Sequence, residues 1–272
     1  MFRGDVKAGR HVLTFGDVTH VMGVINVSPE SKNPHTIATT PSAALDLARR
    51  YRSWGADLVD VGGQSSHIDN PTIGVDEETT RLVPVVEALT ADGFLVSVDT
   101  WKPAVAEAAV AAGAAIVNDT GGFRSAEMQR VVAEADAAVV AVHVDGPHPH
   151  AVGEVELGEN KAQVTAGRFQ EILDGLDASL AERVIIDPGI AINYRGDYDA
   201  YTRLQLDVIR HSNVFAALRR PLLVPIPRKR DIHWVSAYIA MALEYGADMI
   251  RVHDVSIAAA LARLWDRQVA RG

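Results

Sequence analysis

The chain has 272 residues, with 26 Lys and Arg against 35 Asp and Glu for a formal net charge of −9, and it contains no cysteine. That balance disfavours a broad nucleic-acid surface, and the lack of thiols excludes disulfides and thiolate catalysis and makes a reducing cytoplasm the default setting. No run approaches the roughly 18 consecutive apolar residues of a membrane span, and the opening MFRGDVKAGR lacks the apolar core of a secretory signal.

In chain order, residues 11–20 (HVLTFGDVTH) alternate around Gly16-Asp17 and predict a β-hairpin at the amino end. Eight short runs rich in Val and Ile follow, each ending at a polar residue. They predict strands near 21–26, 57–62, 94–99, 115–119, 138–143, 183–187, 221–226 and 248–253. Helical spacing falls between and after them, near 42–54, 76–90, 102–112, 125–135, 160–178, 198–219, 231–245 and 256–270. Continuous apolar strands alternating with helices indicate a parallel sheet buried on both faces. Eight such units in a chain of this length predict an α/β fold, a (β/α)8 TIM barrel with an N-terminal β-hairpin, as one domain over 1–272. The strings WGADLVD, AGAAIVND and YGADMIRV repeat Gly-Ala-x before a strand, the αβ turn of a repeated unit.

In this fold the carboxyl ends of all strands open on one rim, where active sites are built. Charge inside a dry barrel is costly, so Asn26, Asp60, Asp99, Asn118, His143, Asp187, Lys229, Arg251 and His253 belong at that rim. Two polar loops, SPESKNPHTIATT after Asn26 and QSSHIDNPTIGV after Gly63, have the composition of rim loops, and HVDGPHPHAVGEVELGEN after the fifth strand is a third. Single residues carry plainer readings: Asp99 before Thr100 could cap a helix, Asp254 suits the last helix start, and His143 reads equally as rim ligand or satisfied core group. His148 and His150 have the look of a metal pair but lack a third ligand at suitable spacing.

The strings MGVINVSPES, DLVDVGGQSS, SVDTWKPAVAEAA, AAIVND, IIDPGI, PRK and RVHDV resemble, in order and spacing, the motifs of dihydropteroate synthases, pterin-binding barrels of folate biosynthesis. The resemblance implies a cytoplasmic transferase in which the amine of p-aminobenzoate displaces diphosphate from a reduced hydroxymethylpterin diphosphate. Matched by motif, Asp99, Asn118, Asp187 and Lys229 would hold the pterin. Asn26, Arg251 and His253 would hold the diphosphate, with Asn26 also touching a magnesium ion (Mg2+). Ser66 and His67 of the second loop would contact substrate, and a homodimer through the late helices is implied. The chemistry agrees: a pterin edge carries a guanidine-like set of N–H donors that a carboxylate accepts in pairs, and an Arg fork suits phosphate oxygens.

The departures from the family pattern fall on the acceptor side. Glu30-Ser31-Lys32 stands for Asp-Ser-Phe, and Gly62-Gly63-Gln64-Ser65-Ser66-His67 for Gly-Gly-Glu-Ser-Thr-Arg. Ile192 stands for an aromatic residue, in Gly189-Ile190-Ala191-Ile192-Asn193-Tyr194, and Pro227-Arg228-Lys229-Arg230 for Ser-Arg-Lys-Ser. Two readings follow: a transferase joining the pterin methylene to p-aminobenzoate or a different acceptor, or a paralogue without that activity, as a pterin-binding protein or an enzyme recruited to other chemistry.

Overall fold

The computed structural model describes residues 2–153, 160–192, 197–229 and 231–269. Strands β1 (Gly4–Ala8) and β2 (His11–Phe15) form an antiparallel hairpin. The barrel strands are β3 (His20–Asn26), β4 (Leu58–Gly62), β5 (Val96–Asp99), β6 (Ile116–Asp119), β7 (Ala138–Val142), β8 (Val184–Asp187), β9 (Leu223–Pro225) and β10 (Met249–Val252). All pair in parallel in the order β8-β7-β6-β5-β4-β3-β10-β9. The bridge between Ile186 and Leu222 joins β8 to β9, which closes the ring. Around it lie α1 (Pro41–Trp54), α2 (Val75–Ala91), α3 (Pro103–Ala111), α4 (Ala126–Glu134), α5 (Lys161–Asp174), α6 (Ala178–Ala181), α7 (Tyr198–Arg210), α8 (Ile232–Glu244) and α9 (Val255–Val269).

The hairpin lies earlier than 11–20. Its turn is Gly9-Arg10, where Gly9 adopts φ 56° at no steric cost, and Gly16-Asp17 instead leads into β3. Alternation buries Val6, Ala8, Leu13 and Phe15, which pack into one cluster with Met22, Leu58, Ile116, Ile185, Leu223 and Met249 and so plug the amino end of the barrel. The predicted helix 160–178 is divided into α5 and α6, and 198–219 into α7 and a 3₁₀ turn at Ser212–Leu218.

The Gly-Ala-x turns have one physical basis. Gly55, Gly113 and Gly246 hold φ of 102°, 106° and 87°, which side chains resist, and so reverse the chain between helix and strand. Where the third residue is Asp it also serves the preceding, neighbouring strand: Asp57 accepts the Val21 N–H at 2.8 Å and Asp248 the Leu222 N–H at 2.9 Å.

Along each strand, period-two alternation separates two cores. Val59, Val61, Val96, Val98, Val117, Val184, Ile186, Ile250 and Val252 pack outward with the helices, as in Leu82, Val86, Phe169 and Ile239. The intervening residues face the barrel axis, and their apolar lower layer gives way near the carboxyl ends to Asp60, Asp99, Asn118, Asp187 and Arg251. Burying one side chain such as Leu82 or Ile239 contributes about 2–3 kcal/mol, so the apolar layers stabilise a mouth that is itself polar. No helix among the described residues is long and apolar enough to cross a membrane.

Candidate active site at the barrel mouth

Strand register brings the polar residues to one level. Gly62 pairs with Asp99 and Asp99 with Asn118, while Asp60, two residues below the rim, pairs with Ser97. Asp60 is fully buried and fully engaged: Ser97 Oγ donates to Oδ1 at 2.6 Å, and Asn118 Nδ2 and Arg251 Nε donate to Oδ2 at 3.1 and 2.7 Å. Arg251 Nη2 reaches Asp99 Oδ2 at 2.7 Å. One guanidinium from β10 therefore bridges carboxylates of β4 and β5 across the mouth.

The charges do not balance. Burial pushes the Asp99 carboxyl up to about 7, with Arg251 opposing and Asp60 adding to the rise. Burial likewise raises Asp187 to about 7, against the Gly189 N–H and Arg251. The guanidinium of Arg251 is held charged, because the attraction of Asp60 and Asp99 outweighs the cost of burial. Burial, then the nearby Arg251, lowers His253 to about 3, so its imidazole is neutral. Three acids thus face one cation, and the Asn118 Oδ1 is buried with no hydrogen-bond partner among the described residues. Such an acceptor costs about 1–3 kcal/mol unless something donates to it.

Asp187 is aimed by its own loop. Its Oδ1 accepts the Gly189 N–H at 2.7 Å, and Gly189 takes φ 73°. A Cβ there would meet the His143 carbonyl oxygen at 1.9 Å, so only glycine fits. Beyond it Ile192 packs into the axial apolar cluster with Val142 and Val144. Asn193, Tyr194 and Arg230 lie outside the described residues.

Lys229 stands apart from the acids. Its ammonium donates to Thr202 Oγ1 at 3.0 Å and Gln205 Oε1 at 3.2 Å and lies over the Tyr198 and Tyr238 rings, toward α7 and α8. His143 is buried and bonded to Asp145 at 3.2 Å, and Lys161 and Arg168 pair with the same carboxylate, so it acts as a satisfied polar group beside the rim. Asp119 caps the following turn through the Gly121 and Phe123 N–H groups, leaving Asn118 to the mouth.

The first two loops are tied together. Glu30 receives both Arg81 amino groups at 3.1 Å, while Asn70 Nδ2 donates to the Glu30 carbonyl at 2.9 Å and to Ser65 Oγ at 2.6 Å. The third loop clasps the second: His150 Nε2 lies 2.8 Å from the Ser65 carbonyl and the His148 ring stacks on Trp101. His148 and His150 are thus loop fasteners, and no group of three or more potential metal-binding His, Asp or Glu occurs among the described residues. Ser66 and His67 sit partly buried on this second loop, where burial lowers the His67 pKa and Lys32 and Arg228 lower it further.

Asn26 Nδ2 donates to Thr36 Oγ1 at 2.7 Å, which orients the amide so that Oδ1 is the atom that could take a ligand. Magnesium prefers oxygen donors and is usually held by one or two protein groups plus substrate phosphates. A single amide oxygen fits an ion that arrives with a diphosphate.

Sequence reasoning left Asp60 out of the site, although it named the residue at a strand end. The signal is a charged residue inside the otherwise apolar LVDVG, a placement tolerated only when the charge is paired. Ser97, its hydroxyl partner, gives no signal of its own.

A closed parallel barrel with an acid-lined mouth at the carboxyl ends of its strands defines a small-molecule site of the α/β-barrel enzymes. The pterin binding enzyme family matches residues 22–253, and the chain belongs to that family. It is 34% identical to a probable bifunctional folylpolyglutamate synthase/dihydropteroate synthase of Haloferax volcanii, over 93% of this chain but only 31% of that protein, so it spans about a third of that relative. It is 30% identical to the dihydropteroate synthase of Bacillus subtilis, covering 96% of this chain and 92% of that one. It is also 32% identical to an inactive dihydropteroate synthase 2 of Mycobacterium bovis, covering 89% and 80%. Among solved structures, the Burkholderia cenocepacia dihydropteroate synthase complexed with 7,8-dihydropteroate superimposes with a TM-score of 0.79 at 30% identity, covering 100% of this chain and 99% of that one.

Proposed function

We propose that the barrel mouth binds a reduced pterin carrying a hydroxymethyl diphosphate and transfers its methylene to an amine. The observation that supports this most is the unpartnered Asn118 Oδ1 beside Asp99 and Asp187, buried acceptors in excess over the single guanidinium. A flat heterocycle with adjacent ring N–H and amino donors satisfies all three at once. Binding converts protonated carboxyls to acceptors of paired N–H bonds and releases protons.

In the reaction the C–O bond to the diphosphate breaks with its electron pair on the departing oxygen. The amine nitrogen forms the C–N bond to the methylene and gives its proton to solvent. The buried groups of the mouth would limit water at the electron-poor methylene, and Asn26 Oδ1 would hold a magnesium ion that supplies positive charge beside the diphosphate. The acceptor is p-aminobenzoate or another amine, and a second copy of the chain is the expected partner, through the exposed Tyr198, Ile232, Trp234, Tyr245 and Leu264 of the last three helices and the turn after α8.

A second reading, binding without transfer, is favoured by Lys229 being engaged by Thr202 and Gln205, and by the Mycobacterium bovis relative described as inactive. Incubation with pterin diphosphate, magnesium and p-aminobenzoate separates the two. Acceptor-dependent pyrophosphate release is the expected result. Tight pterin binding without release under any aromatic amine supports the second reading.

A further inference from the structure

The cations that the family resemblance assigns to the ligand already have protein partners at the rim. Arg251 has Nε on Asp60 and Nη2 on Asp99, both at 2.7 Å, and so is neutralised before any diphosphate arrives. His253 is neutral, and the Lys229 ammonium is turned to Thr202 and Gln205. Yet a cavity of about 280 Å3 opens beside His253, lined also by Lys32, His35, Arg228, Lys229 and Asp254. Its acid, Asp254, faces His35 at 3.7 Å. Lys32 and Arg228 make no ion pair with any described residue, and their field reaches His67.

Lys32 is also presented by a braced loop. Two residues before it, Glu30 is held by Arg81, by Ser28 Oγ at 2.6 Å and, through its carbonyl, by Asn70. Bracing lowers the ordering cost of binding an anion there.

We propose that Lys32 is the leaving-group cation of this chain: with Arg228 it binds the departing diphosphate over this cavity and lessens the need for a divalent ion. The inference rests on the pterin diphosphate reading. As the C–O bond breaks and its electron pair gathers on the diphosphate oxygen, the Lys32 ammonium adds positive charge to that of Arg251, which is already shared with two carboxylates. A cation at that position suits a polyanion such as diphosphate, whose several charged oxygens it can pair with.

The test titrates inorganic pyrophosphate into the full-length protein by calorimetry, once in EDTA and once in magnesium. The wild type binds in EDTA, Lys32→Ala loses about tenfold or more, and Lys32→Arg keeps most of the affinity, as expected for removal or retention of a charged phosphate contact. In magnesium the Lys32→Ala loss shrinks. Lys32 is exposed, so the variant folds, and its melting curve verifies this. Equal affinity of wild type and Lys32→Ala in EDTA overturns the proposal, as does binding that strictly requires magnesium. Failure of the parent reading is distinguishable: Lys32-dependent pyrophosphate binding in a protein that binds no pterin upholds the anion site and removes the pterin.

Discussion

The guanidinium of Arg251 lies 2.7 Å from the fully buried carboxylate of Asp60, a contact joining residues 191 apart in the chain at the centre of the barrel mouth. It fixes the arginine in a plane beside Asp99 and Asn118 and decides which acceptors stay available to a ligand. A buried pair of this kind contributes little net stability when both members are present, but removing one strands the other. Asp60→Ala is therefore expected to destabilise the fold by about 3 kcal/mol, partly offset by the remaining Asp99 contact. Removing Arg251 as well should recover part of that loss. Urea unfolding of the two single variants and the double variant checks the coupling, and additive losses would contradict it.

Asp187 should weaken the fold it serves. Its folded pKa is raised from 3.8 to about 7, so between those values the native state binds a proton that the unfolded state does not. Stability then falls as pH rises from about 4 to 7, by up to a few kcal/mol. Asp187→Asn keeps an oxygen for the Gly189 N–H and removes the ionisation. The variant should melt higher than wild type at pH 8, by about 2–4 °C for each kcal/mol regained, with the gap vanishing near pH 4. A melting point unchanged at pH 8 would count against a strained carboxylate.

The clamp between the loops gives a dependence of opposite sign. Hydrogen bonds from Arg81 hold Glu30 down to about 2 from 4.5, so its contribution is complete above about 4.5 and is lost as pH falls through about 2. Both side chains are partly exposed, so the net worth is about 1 kcal/mol or less. Glu30→Gln should leave global unfolding nearly unchanged but hasten limited proteolysis within residues 28–40 and 64–74. Cleavage at the wild-type rate would show that the loops are held by other contacts.

Tyr198, Ile232, Trp234, Tyr245 and Leu264 are large apolar residues exposed on or beside three consecutive helices, α7, α8 and α9. Large apolar residues exposed on consecutive helices are of the kind a twofold dimer would bury. Sedimentation should show a dimer at micromolar concentration, and Trp234→Glu should shift it to monomer. A monomeric wild type would remove the homodimer from the account.

The barrel was legible because parallel strands covered on both faces leave unbroken apolar runs, and because their polar ends mark one rim. Asp99, Asn118, Asp187 and Arg251 could be named on that ground, since each stands at or near the carboxyl end of its strand and register sets Asp99 opposite Asn118. The hairpin was placed one strand too late because Gly16-Asp17 has turn composition as strong as Gly9-Arg10, and only tertiary packing of Val6 and Ala8 against the axial cluster distinguishes them. The direction of a long side chain was not legible. Lys229 follows the seventh barrel strand as expected, yet Gln205, Thr202 and two tyrosines from neighbouring helices draw its ammonium aside. Nor could a sequence reveal that Arg251 directs its donors to Asp60, since pairing of those two depends on strands β4 and β10 flanking β3 in the closed barrel.

The central claim, that buried acceptors of the mouth bind a pterin edge, is tested most directly by calorimetric titration of a reduced hydroxymethylpterin into wild type and Asp187→Ala across pH 6 to 8. Affinity should strengthen as pH rises through about 7, where Asp99 and Asp187 ionise, with proton release in buffers of differing ionisation heat, and Asp187→Ala should lose it while keeping the fold. Equal affinity for the two proteins, or no binding to wild type at any pH, would contradict the account.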